Sequence, residues 1–215
     1  MSNTISISAG GIANLTDARY FAAREVHFLG FCLDDSSENY VQSAVVKAMK
    51  EWIEGPKIVG EFGLQSTEEI LAAVENIGLD AVQLNMFALA DKNALREKTI
   101  VIQEIVAEKT TRAGDFWQKI EQLGSESDYL YLDFEKNDIT WNDLLRNPEI
   151  SIELLQRACQ KYNVFLGLKF LPAQLKTIVN VLQPAGIAVK GGEEEQVGVK
   201  SFDDLDEIFD AIEAW

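Results

Sequence analysis

Basic residues are scarce in this chain. Nineteen Lys and Arg stand against 35 Asp and Glu, a net charge of −16 over 215 residues, so the long-range field repels phosphate backbones and anionic membrane surfaces. Nucleic-acid binding is disfavoured, and the acidic excess reads as a solvated surface. Cysteine is nearly absent. Cys32 and Cys159 lie far apart, which is neither a disulfide framework nor a metal spacing. His27, the only histidine, sits just before "FLGF" in an apolar run and is expected to be a hydrogen-bonded interior residue. No apolar run approaches the roughly 18 residues of a membrane span, and the first residues lack the basic and apolar segments of a secretory leader. These absences predict a soluble, cytoplasmic protein with no metal, no cofactor, no nucleic-acid partner and no membrane association.

What is present is regular. With 47% hydrophobic residues the chain can bury a full core, and one domain over 1–215 is expected. Short β-rich runs alternate with amphipathic stretches: "TISISA" then "LTDARYFAARE", "VHFLGFCL" then "NYVQSAVVKAMKEWI", "KIVGEFG" then "STEEILAAVENIG", "DAVQLNMF" then "ALADKNALREK". The alternation continues through "TIVIQEIV", "DYLYLDF", "VFLGLKF" and "GIAVKGG", each followed by a helical pattern. Ser66 followed by Glu69 is a capping-box signature, and Ile70, Leu71, Val74 and Ile77 supply a stripe at helical spacing. Asn14 and Ser201 are expected to cap the first and last helices. The strand runs are nearly continuous in Val, Ile, Leu and Phe, as in parallel strands covered by helices. Eight such units predict a (β/α)8 TIM barrel, with an open doubly wound sheet as the alternative; in a barrel the site lies at the strand C-terminal ends.

Residues along nearly the whole chain resemble the phosphoribosylanthranilate isomerase family of tryptophan biosynthesis. "GGIANLTDA" is similar to that family's first loop and helix, "LGFCLDDSSENYV" to its second unit, and "KIVGEFGLQSTEEI" and "LDAVQLNMF" to its third and fourth. "YLYLD" with "TWNDLL", and "VGVKSFDDL", resemble its sixth unit and the start of its last helix. The resemblance implies an Amadori rearrangement of an aminoaldose phosphate. A general acid at the end of strand six protonates the ring oxygen, and a cysteine base at the end of strand one removes the C2 proton.

Carried over residue by residue, the resemblance puts the acid at Asp133 and the base at Gly10, which has no side chain. The family's basic residues in the second loop fall at Ser36 and Asn39, and its histidine after strand four at Asn85. Its phosphate-binding glycines after strand seven fall at Leu168 and Lys169; the eighth-strand loop falls at Lys190, Gly191, Gly192 and Glu193 to Glu195. Losing a general base typically costs about 10²- to 10⁴-fold, and three glutamates set like charge against a phosphate. The expected reading is therefore an isomerase-like barrel that has lost the reaction and binds a small anionic or sugar-phosphate-like ligand, or a partner. Asn39, Asn85, Lys169, Lys190, Gly191 and Gly192 are its candidate ligand-binding residues.

Two alternatives stand beside it. One is an active isomerase using Asp133 as general acid. The other is a different enzyme using Lys169 and Lys190, or Glu61 and Glu104, which stand in strands three and five. The lysines are expected either to form an ion pair with Asp133 or to act as base or imine-forming nucleophile. The two glutamates either join Asp133 in a carboxylate site for a divalent cation or point outward to a basic partner. Cys32 is expected to be inert.

Overall fold

The computed structural model describes residues 5–191, 194–196, 199–200 and 202–215. Eight parallel strands close into one barrel in the order of the chain: β1 (Ser6–Gly10), β2 (Phe28–Cys32), β3 (Lys57–Phe62), β4 (Ala81–Leu84), β5 (Ile100–Val106), β6 (Tyr129–Asp133), β7 (Val164–Gly167) and β8 (Gly186–Lys190). Closure runs through β1 and β8, where Ser6 pairs with Gly186 and Gly10 with Lys190. The eight runs expected from the sequence are these eight strands, and the open-sheet alternative is excluded by this pairing.

Between the strands lie α1 (Leu15–Ala23), α2 (Ser43–Lys50), α3 (Thr67–Ala73), α4 (Lys92–Arg96), α5 (Ala113–Ser125), α6 (Trp141–Leu144), α7 (Ile152–Lys161) and α8 (Pro172–Leu182), with α9 (Asp203–Glu213) after β8. Their ends follow local chemistry. Ser66 and Glu69 form the reciprocal capping box at α3, and Asn14 Oδ1 accepts the Asp17 N–H at α1. Ser201, expected to cap the last helix, lies outside the described residues. An unexpected short hairpin, β9 (Glu194–Gln196) with β10 (Val199–Lys200), precedes α9. The first and last helices are tied together by Arg24, which pairs with Asp206, Asp210 and Glu213, and by Tyr20 stacked 4.0 Å from Phe202.

Two apolar layers result. The larger lies between the strands and the helices and includes Phe21, Leu29, Phe116, Leu132 and Ile187. The smaller fills the barrel itself with Phe28, Val59, Ala81, Ile102, Tyr131, Phe165 and Ala188. Because side chains alternate along a strand, the residue two positions after each of these also faces inward, one layer nearer the strand C-termini. Those residues are Gly30, Glu61, Gln83, Glu104, Asp133, Gly167 and Lys190. One step along seven strands changes an aromatic and aliphatic plug into a polar mouth.

Candidate active site

A cavity of about 720 Å³ opens at this mouth, lined by Gly10, Glu61, Gln83, Glu104, Asp133 and Lys190 among others. Asp133 closes β6 and is 1% exposed. Its Oδ1 accepts the Lys136 backbone N–H at 2.9 Å, and its Oδ2 accepts from Lys190 Nζ at 3.1 Å. Glu135 Oε2 lies 3.6 Å from the same ammonium. Burial works to lower the Lys190 pKa, but Asp133, Glu135 and Glu104 outweigh it and raise it, so this lysine is held charged. The Lys190 to Asp133 ion pair is the arrangement the sequence left open against a lysine nucleophile.

Glu61 is placed differently. Its Cα is on β3, but its side chain reaches across β2 to the end of β1. A Cβ added to Gly30 would stand 2.2 Å from Glu61 Oε1, and one added to Gly10 would stand 3.0 Å from it. Both glycines are therefore the floor on which this carboxylate lies. Gly11 turns the chain with φ +68°, a region that favours glycine, and its N–H donates to Glu61 Oε1 at 3.3 Å. Burial pushes the Glu61 carboxyl up to about 7; the Gly11 N–H and Lys190 oppose the rise and Glu104 adds to it. Glu104, 8% exposed, is likewise raised by burial and by Asp133, against Lys136 and Lys190. Tyr131 is raised too, first by burial and then by the surrounding carboxylates, and remains a hydrogen-bond donor.

Some expected site residues fall elsewhere. Asn39 lines the cavity, but Asn85 does not: β4 ends at Leu84, and Asn85 turns its Oδ1 back to the Phe87 N–H. Lys169 follows the end of β7 and is exposed, outside the cavity lining, so only one of the two lysines reaches Asp133. Ser36 is held by Asp34 Oδ1 at 2.6 Å. Gly191 lines the cavity, yet its N–H donates to the Gly10 carbonyl at 3.1 Å. Gly192 and Glu193 lie outside the described residues; Glu194 and Glu195 belong to β9. His27 is exposed rather than interior, because it precedes β2 at the end of the barrel opposite the mouth; its Nδ1 accepts the Ile7 N–H at 3.4 Å. Both glutamates point inward, not toward the helices. Among the described residues no group of three or more His, Cys, Asp or Glu is arranged to hold a metal ion. Among the same residues no helix is long and apolar enough to cross a membrane.

Lys136 and Gln83 line the cavity without having been singled out in the sequence. Gln83 carried a signal, standing two residues after the buried Ala81 in an otherwise apolar strand. Lys136 carried none, because it projects from the turn after β6.

The fold and the mouth define a class: a (β/α)8 barrel with acid and base groups gathered at the strand C-termini. Within that class, the chain belongs to the N-(5'-phosphoribosyl)anthranilate (PRA) isomerase family, which it matches over residues 7–211. An N-(5'-phosphoribosyl)anthranilate isomerase of Maridesulfovibrio salexigens is 24% identical over 209 residues, covering 97% of this chain and 98% of the relative. The solved phosphoribosyl anthranilate isomerase of Thermus thermophilus superposes with a TM-score of 0.76 at 22% identity, covering 98% of this chain and 99% of that one. Another, solved in complex with reduced 1-(o-carboxyphenylamino)-1-deoxyribulose 5-phosphate, gives 0.74 at 19% identity over 98% of this chain and all of the other.

Proposed function

We propose that this chain is an active aldose-to-ketose isomerase acting on N-(5'-phosphoribosyl)anthranilate in tryptophan biosynthesis. The observation that carries the reading is the retained Asp133, buried at the end of β6 and joined to Lys190 at 3.1 Å where both face the cavity. Opening the ribofuranose needs a proton on the ring oxygen as the C1–O bond breaks and the anthranilate nitrogen forms the C1=N bond. The Asp133–Lys190 pair holds a transferable proton beside that cavity, and Asp133 orients it. Lys136 and Lys190 supply positive charge for an anionic substrate. The expectation of a stripped site rested on Gly10 and on the altered phosphate-binding loops. The family relationship supports the isomerase alternative instead.

One observation favours the runner-up, a binding protein without turnover. Lys169 is exposed and outside the cavity lining, and the Gly191 N–H is donated to the Gly10 carbonyl, although both residues were expected to hold the ligand. An isomerase assay on the purified chain decides between them. Turnover is expected, with a loss of about 10²- to 10⁴-fold in Asp133→Ala. Absence of turnover in the unaltered chain returns the protein to the binding class.

A further inference from the structure

We infer that Glu61 is the proton acceptor of this site, its carboxylate standing over the two glycines where strand one presents no side chain of its own. The inference deepens the isomerase reading and rests on it. Three features of the geometry carry it. First, Glu61 Oε1 occupies the space a side chain at Gly10 would enter, and Gly30 on the intervening strand leaves the path open. Either Cβ would crowd the carboxylate, so the two glycines and the glutamate form one arrangement. Second, Glu61 forms no ion pair among the described residues; its hydrogen bond is from the Gly11 N–H. A carboxylate facing a cavity with a single neutral donor keeps lone pairs free for a substrate proton, whereas both oxygens of Asp133 already accept. Third, Gly10 is the Cα partner of Lys190, whose ammonium holds Asp133. The carboxylate above Gly10 is thus brought beside the acid pair, although β3 and β6 are distant in strand order.

The titratable groups around the mouth are Glu104, Tyr131, Asp133, Glu135, Lys136 and Lys190. Burial and Glu104 raise Glu61 to about 7, against the pull of Lys190. Asp133 sits against a cation.

The step balances within one substrate. Once the ring is open, Glu61 takes the C2 proton. The C2–H electron pair becomes the C1=C2 bond, and the C1=N pair returns to the nitrogen, giving an enol. Glu61, now protonated, returns a proton to C1, and the Asp133–Lys190 pair, which gave up a proton when the ring opened, takes the proton of the C2 hydroxyl and is restored. C2 is oxidised and C1 reduced in the same molecule, so no external oxidant or reductant enters.

The test uses the full-length chain and N-(5'-phosphoribosyl)anthranilate, with Glu61→Gln, Glu61→Ala, and Glu61→Ala combined with Gly10→Cys. Glu61→Gln is expected to lower kcat by about 10²- to 10⁴-fold and to remove the limb of the pH–rate profile near neutrality. Restoring a thiol at position 10 with the glutamate truncated is expected to recover about tenfold or more over Glu61→Ala alone. Thermal unfolding of each variant shows that it is folded, and loss of the pH limb is a change a purely structural glutamate would not produce. If the unaltered chain is active and Glu61→Gln keeps its kcat within about threefold with the same pH profile, the inference fails and the isomerase reading stands. If the unaltered chain has no turnover, the isomerase reading itself fails and takes the inference with it.

Discussion

At the lower level of the barrel, the Phe28 ring meets Tyr129 at 5.7 Å and Phe165 at 5.4 Å, edge to face. Two residues further along the same strands, the inward positions carry Gly30, Tyr131 and Gly167, and Asp133 follows two residues beyond Tyr131. The two levels share one set of strands, one register and one closure, yet the first is apolar and buried while the second holds charges that need partners. The difference shows how a strand passes from packing to chemistry in a single period of two. The lower ring of apolar side chains holds the barrel closed, and that rigidity is what lets Glu61 lie extended across Gly30 without collapsing onto it.

The comparison can be broken most severely from below. Phe165→Ala empties part of the plug and is expected to cost about 3–5 kcal/mol of stability, a large share of a typical domain's 5–15 kcal/mol or so, as read by denaturant unfolding. Glu61→Gln one level higher is expected to leave stability intact or raise it while activity falls. Equal destabilisation by the two changes would erase the distinction between the levels.

A smaller effect comes from pH. A carboxyl group whose folded pKa lies above its unfolded value binds its proton more tightly when folded, so its contribution to stability is greatest at low pH and declines as pH rises. For Glu61 the decline should run between about 4.5 and 7 and flatten above it. Its size is at most about 3 kcal/mol, and Glu104 adds in the same direction. The difference in unfolding free energy between the unaltered chain and Glu61→Gln, followed over that range, should show this slope; a difference independent of pH would contradict a raised Glu61.

The mildest change is Gly30→Ala. The new Cβ meets first the far end of the flexible Glu61 side chain, 2.2 Å from its Oε1, with the Gly10 Cα 3.3 Å away behind it, so stability should fall by about 1 kcal/mol. The carboxylate must move aside, and a displacement of that kind is expected to reduce kcat by about tenfold or more. Unchanged kcat would mean that Glu61 is not held over this floor.

Much of the architecture was legible because it is local. The capping box at Ser66 and Glu69, the Asn14 cap and the eight apolar runs each follow from neighbours in sequence, and Asp133 is recognisable as the last residue of a strand. Asn85 and Lys169 fall outside the cavity lining because each lies two residues past the mouth position of its strand, Gln83 and Gly167, where the loop and not the strand pleat sets the direction of the side chain. His27 was misjudged because an apolar neighbourhood in sequence does not say at which end of a strand the chain enters the barrel.

Gly10 shows the limit most clearly. By itself the sequence determined that strand one ends without a side chain, that strand three carries a glutamate, and that eight repeated units must cover one another. Only the closed barrel decided that the glutamate of β3 reaches past β2 to the end of β1. That contact depends on two glycines on neighbouring strands and on a side chain long enough to span them. No spacing along the chain encodes it, because Gly10 and Glu61 are brought together by the curvature of the sheet.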